Sequence, residues 1–348
     1  MLSAYTGVAS VYAQALGAHR SASGSGSATA TADPGSIAVN AGALGYGVTM
    51  SNSLVGLDPP AGFTNIITMS DASIKGDGEY AVSANAGSAD PQWTWHFTPS
   101  SPGTWLATVL ALNPEPPIAL DQWNGTFNER GTLIIKGFNY TNPHVGDAIV
   151  ATFFWLGSTN IIDSVTDVLT TNPYSPVGNT YRLVEYVTSG GVSMATYVAV
   201  NVQHFPDAYR DSSQDSILAV RANLSQSVTD AGIMMTAYTG VSSVYAQALG
   251  AHRSALGSGS STTTADPGAI AVNAGALAYG VTMSNGHVGM DLPAGWTNIV
   301  TQSDDSIKGD GDYLVSANGG SVDPQWTWYF DAQPPGTWLA SVLSLNRP

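Results

Sequence analysis

Gln92-Trp-Thr-Trp-His-Phe97 and, close behind it, Gly103-Thr-Trp-Leu-Ala-Thr-Val-Leu-Ala-Leu112 read as two strands of a buried β-sheet. Side chains alternate along a strand, so Trp93, Trp95 and Phe97 share one face while Gln92, Thr94 and His96 share the other. The second segment is apolar on both faces, with Leu106, Leu110 and Leu112 on one side and Trp105, Val109 and Ala111 on the other. That pattern predicts a central strand rather than an edge. Each buried Trp contributes on the order of 3 kcal/mol of gross burial energy. Against a net domain stability of about 5–15 kcal/mol, this assigns Trp93, Trp95 and Trp105 to the core.

Both segments recur further on, as QWTWYF at 325–330 and GTWLASVLSL at 336–345. Residues 4–113 and 237–346 are the same sequence at a constant offset of 233, about three-quarters identical and without a gap. In the first copy, strands are predicted at Leu2 to Val8, Ile37 to Val39, Leu44 to Met50, Phe63 to Met69, Glu79 to Ala84, Gln92 to Phe97 and Trp105 to Leu112, with equivalents in the second. In the non-repeated segment between the copies they fall at Thr132 to Phe138, Ala148 to Leu156, Ile162 to Leu169, Tyr181 to Val187, Ser193 to Val202 and Ser216 to Asn223. No apolar pattern keeps a 3.6-residue period for long, so no helix is expected. The fold class expected is all-β, as tandem antiparallel β-sandwich, jelly-roll-like modules. Ser21 to Ala32, SASGSGSATATA, reads as a flexible or O-glycosylated loop of low complexity.

Pro114, Pro116 and Pro117 mark a semi-stiff linker at 114–119. The chain then divides into a half-module at 1–113 and a complete module at 120–348, the latter made of a unique half (120–233) and the second repeat (234–348). If the repeat is half A and the unique segment half B, the order is A, B, A. One A lacks a B, so either A folds alone from its seven strands, or the missing half comes from an upstream polypeptide, or neighbouring chains cover the open face by strand addition, the last being the expectation.

Composition narrows the function classes. Of 348 residues 10% are charged, against about 25% in ordinary soluble domains. The net charge of −15 leaves no basic patch able to neutralise phosphates, so nucleic acid and anionic membrane are poor partners. Cysteine is absent, which removes disulfides, thiolate metal sites and Cys nucleophiles. No apolar run is long enough to span a bilayer. The opening MLSAYTGVASVYAQALGAHR superficially suggests a signal peptide, but it lacks a basic region and recurs internally as MMTAYTGVSSVYAQALGAHR, as folded structure does.

Candidates for chemistry are few. KGDGEY at 75–80 and KGDGDY at 308–313 set two carboxylates two residues apart in what reads as a Gly-rich turn, close after Asp71 and Asp304. Asp71, Asp77, Glu79, Asp304, Asp310 and Asp312 are therefore the calcium candidates, short of the EF-hand spacing and of the about 6–8 oxygens that calcium takes. No other cofactor is indicated. His19 and His252 recur beside Arg20 and Arg253 without a second ligand at metal spacing, and Tyr329 replaces His96 in the second copy. No nucleophile elbow, phosphate-binding loop, zinc-protease or dinucleotide motif is present. Glu129 and Glu185, or any pair of aspartates, are candidates for a glycosidase pair. Tyr5, Tyr12, Tyr46, Tyr140, Phe63 and Trp296 are the aromatics that could stack on sugar rings. Asn124, Asn139 and Asn223 stand in glycosylation sequons at about the number chance supplies.

The order GNTYRLVEYV, GGVSMATYVAVNV, MMTAYTGV, LPAGWTNIV and GTWLASVLSL, spanning roughly 130–346, resembles the β-sandwich modules that recur in phage tail and virion-surface proteins and in large secreted bacterial surface proteins. The resemblance implies a jelly-roll-like fold and a structural or adhesive role, with no catalytic residues to carry over. The expectation is a non-enzymatic, extracellular subunit of a filament or virion appendage, its partners copies of itself in a homo-polymer or large oligomer. A carbohydrate-binding or cell-attachment module contacting cell-surface glycans is the first alternative, and a glycoside-active enzyme the second.

Overall fold

A computed structural model describes residues 2–9, 15–114, 117–139, 141–171, 173–203, 216–286, 288–331 and 335–348. The chain forms two compact units, Met1–Pro116 and Pro117–Pro348. Both are all-β and antiparallel.

The first unit contains β1 (Leu16–Gly26), β2 (Thr29–Ala32), β3 (Ile37–Val39), β4 (Leu44–Ser51), β5 (Leu57–Asp58), β6 (Thr64–Ser70), β7 (Lys75–Val82), β8 (Gly87–Ala89), β9 (Trp93–His96) and β10 (Gly103–Leu112). A five-stranded sheet runs β1-β10-β4-β7-β6, and the smaller sheets β2-β9-β5 and β3-β8 form the opposing layer. Between the layers, Trp93, Trp95 and Phe97 pack against Trp105 and Ala107, and Ile37 and Val39 against Val109 and Ala111. As the alternation predicted, β10 is central, between β1 and β4, with Trp105, Ala107, Val109 and Ala111 turned to this core.

The second unit begins with β11 (Ala119–Gly137), β12 (Ala148–Leu156), β13 (Ile162–Leu169), β14 (Ser175–Pro176), β15 (Arg182–Ser189), β16 (Val192–Ala199) and β17 (Leu218–Thr239). The second repeat follows as α1 (Tyr245–Ala248), β18 (Leu249–Gly259), β19 (Thr262–Ala265), β20 (Ile270–Val272), β21 (Leu277–Ser284), β22 (Gly289–Asp291), β23 (Thr297–Ser303), β24 (Lys308–Val315), β25 (Gly320–Val322), β26 (Trp326–Tyr329) and β27 (Gly336–Leu345). It repeats the first unit's sandwich sheet for sheet, its large sheet ordered β18-β27-β21-β24-β23. The unique segment makes a seven-stranded sheet built around β17, whose first half pairs with β13 and second half with β12, while β11 follows most of its length. One face of β12 and β16 is covered from within the segment by Ile134, Phe138, Leu218 and Val220. The other face, through Val150, Phe154, Met194 and Met234, packs on the outer face of the second repeat's large sheet, on Tyr279, Val281, Met283, Leu339 and Leu343. Strands β21 and β27 are consequently buried on both faces.

Four local expectations are corrected. No helix is expected from the periodicity, yet Tyr245–Ala248 makes the single turn α1. Leu2 to Val8 is not a strand; its only ladder contact is an isolated bridge from Val8 to Pro114. The equivalent residues end β17, where Tyr238 lies between Leu120 of β11 and Ala148 of β12. Ser21 to Ala32 is not a flexible loop but the end of β1 and all of β2. Its small residues are structural: a Cβ on Gly24 would stand 2.6 Å from the Trp105 ring, and one on Gly257 2.5 Å from that of Trp338. KGDGEY and KGDGDY are not turns but the bodies of β7 and β24. The period of two sends Asp77 and Glu79 to the sandwich interior, and Gly76 and Gly78 to the outer face.

Candidate functional site

The two copies of the repeat share a sequence and differ in what covers one face. In the second copy Leu339, Tyr279 and Met283 are buried beneath the unique sheet. In the first, Leu106 is 50% exposed, Ile74 43% and Ile67 37%, and Tyr46, Val48 and Met50 are half-buried. Strand β10 alternates buried and open where β27 is buried throughout. Val48, Met50, Met69, Ile74 and Gly76 line a groove of about 310 Å³ on this face. Apolar surface gathered on one sheet face is the candidate site.

The unique sheet shows how such a face is held. Strand β11 shifts register between Thr126 and Glu129, with Asn128 at φ 64°. At this irregularity Phe127 crosses onto the bare backbone of Gly309, where a Cβ would stand 2.9 Å from its ring, and Met234 lies beside it. Asn128 N–H donates to Asp304 at 3.1 Å. At the sheet's other edge Glu185 joins His252 at 2.6 Å and accepts from Ser254 Oγ at 2.7 Å. The Arg182 guanidinium lies 4.5 Å from the Tyr245 ring centre. Within the interface the hydroxyls of Thr152 and Tyr279 meet at 3.2 Å, so these buried oxygens are satisfied.

The calcium candidates separate into two groups. Asp71 and Asp304 cap tight turns, each accepting from two backbone N–H groups that follow it. Asp77 and Glu79 lie under Trp93 in the core: Asp77 accepts from Trp93 Nε1 at 3.0 Å and Asn65 Nδ2 at 2.9 Å, and Glu79 from Asn65 at 2.7 Å. In the second copy Trp326 Nε1 donates to both Asp310 and Asp312, at 3.0 and 2.8 Å. Burial, and then the neighbouring Asp310, push Asp312 up to about 8. Burial likewise raises Glu79 to about 7, with Asn65 acting against it and Asp77 adding to it. Asp77, Asp310 and Asp312 thus accept from a tryptophan of the opposing layer, whereas Glu79 is bonded to Asn65 of its own sheet.

Other candidates are placed as follows. Glu185 is committed to His252 and Ser254, and Glu129 accepts from Thr126. His96 binds Asp58 at 2.8 Å, and Tyr329, its replacement, donates to the equivalent Asp291. Tyr5 packs on Tyr46 and Tyr80, and Trp296 against the second repeat's core. Phe63 is half-buried, and Tyr12 and Tyr140 lie outside the described residues. One group was invisible in the sequence. Asp121, His144 and Asp147 bring ligating atoms within 4.8 Å of one another, alone in doing so among the described residues. His144 Nδ1 meets Asp121 at 2.9 Å and its N–H donates to Asp147 at 2.8 Å. Burial and Asp121 push Asp147 up to about 8. The 23 residues separating Asp121 from His144 hide a proximity that only the start of β12 beside β17 creates.

Compared with known proteins, the chain matches no family, no curated protein and no solved structure. No helix among the described residues is long and apolar enough to cross a membrane.

Proposed function

We propose that the protein is a structural, self-assembling subunit of an extracellular filament or virion appendage that joins neighbouring subunits through the open sheet face of its first repeat. One observation carries the reading: the same apolar face is buried in one copy of the repeat and open in the other. Monomeric proteins seldom leave apolar patches beyond a few hundred Å² uncovered, and larger ones mark contact sites. The uncharged polar composition supports the setting. Light scattering and negative-stain microscopy over a range of concentrations test it. The chain is expected to form oligomers or polymers, and Leu106→Asp together with Met50→Asp to return it to the monomer. A wild-type chain that stays monomeric at high concentration would sink the proposal.

A further inference from the structure

We infer that the open face of the first repeat receives a seven-stranded sheet built like residues 119–239. The inference rests on the assembly reading and names the chemistry of the partner.

The second unit displays what this face is made to bind, and the first repeat keeps most of the groups used there, Met69 in place of Gln302 beside Gly125 being a departure. Tyr46, Val48, Met50, Leu106 and Leu110 stand where Tyr279, Val281, Met283, Leu339 and Leu343 meet the unique sheet. Gly76 and Gly78 keep the flat path that Phe127 and Met234 occupy on Gly309 and Gly311, and the groove beside Gly76 is open where Phe127 would lie. The polar clamp persists too: His19 and Ser21 match His252 and Ser254, which Glu185 holds, and both are exposed. Asp71 matches Asp304, which accepts from the Asn128 amide.

The seat of the partner's central strand is also already taken up by this chain. Residues 3–8, SAYTGV, correspond to 236–241, TAYTGV, at the end of β17. Tyr5 contacts Tyr46 and Tyr80 at ring separations of 6.1 and 6.2 Å, as Tyr238 contacts Tyr313 at 6.0 Å. Residues 2–5 have no ladder partner, whereas Tyr238 is bracketed by β11 and β12. A sheet of the unique type would therefore pair its own β11-like and β12-like edges with residues 2–6 while laying its apolar face over the first repeat.

The test extends the full chain by joining a second copy of residues 117–233 directly to Met1, so that Met1 follows the added segment as Met234 follows Ile233. Amide exchange at residues 3–6 is expected to slow at least tenfold, to the level of 236–239, and fluorescence of an apolar dye bound to the parent to fall. Leu106→Asp in the extended chain should reverse both changes, while in the parent it leaves exchange across the β4–β10 core unaltered. If residues 3–6 exchange as in the parent, or the added segment remains unfolded beside two intact units, the inference is overturned. A parent chain that stays monomeric refutes the assembly reading alone, because the extended chain still decides what the face accepts.

Discussion

At the scale of single residues, the repeat is held by close approaches that tolerate no added atoms. Trp105 and Trp338 lie flat over Gly24 and Gly257, their cross-strand neighbours. Gly257→Ala would drive a methyl into a ring that is only 7% exposed, and overpacking of this kind costs about 1–3 kcal/mol. Chemical denaturation should register that loss, while Gly87→Ala, with open space around its Cβ, should leave stability unchanged; equal effects would refute the packing argument. The sequence disclosed the tryptophans, because alternation marks their face, but not the glycines opposite them. A run of Ser, Gly and Ala looks like a loop until the ring that needs its smallness is known. KGDGEY misleads for a related reason: Gly and Asp are turn residues by frequency. Here the glycines serve a flat outer face, and the carboxylates find Trp93 and Asn65 inside.

Among the elements, one sequence adopts two structures according to its neighbours. SAYTGV lacks partner strands in the first unit, while TAYTGV is ladder-bonded in the second. Amide exchange by mass spectrometry should find residues 236–239 protected by orders of magnitude over residues 3–6. Equal protection would mean that residues 3–6 find strand partners. The outer-face leucines divide the same way. Leu339→Asp places a carboxylate in a dry sheet-to-sheet core and should cost upwards of about 3 kcal/mol. Leu106→Asp, at a half-open position, should cost below about 1 kcal/mol. Melting and exchange of the two units, followed separately, would compare them, and equal costs would contradict the burial difference. Strand positions in the unique segment were largely legible because Val, Ile and Phe runs end at Gly and Asn. The first half of β11 was not, because Leu120 to Glu129 carries few β-branched residues and forms a strand only by lying along β17.

For the whole molecule, buried carboxyls set a pH dependence whose sign runs against the common pattern. Asp147 and Asp312 are raised to about 8 and Glu79 to about 7, in each case first by burial and further by a neighbouring carboxylate. In the unfolded chain such groups titrate near 4. Between about pH 4 and pH 8 the folded state therefore binds protons that the unfolded state has released, and stability falls as pH rises through that window. Asp71 is lowered by the N–H groups of Ser73 and Ile74, so its opposite contribution is lost only in acid below the window. Melting temperatures should drop by several degrees from pH 5 to pH 8.5, since each kcal/mol moves a unit of this size by roughly 2–4 °C. Asp312→Asn, which removes the titrating carboxyl, should flatten the fall in the second unit and leave the first unit's slope in place. Scanning calorimetry of both proteins across that range would decide it: a melting temperature that climbs from pH 5 to pH 8.5 would mean these carboxyls are ionised in the fold, and the bracing role of the Trp326 cluster would have to be abandoned.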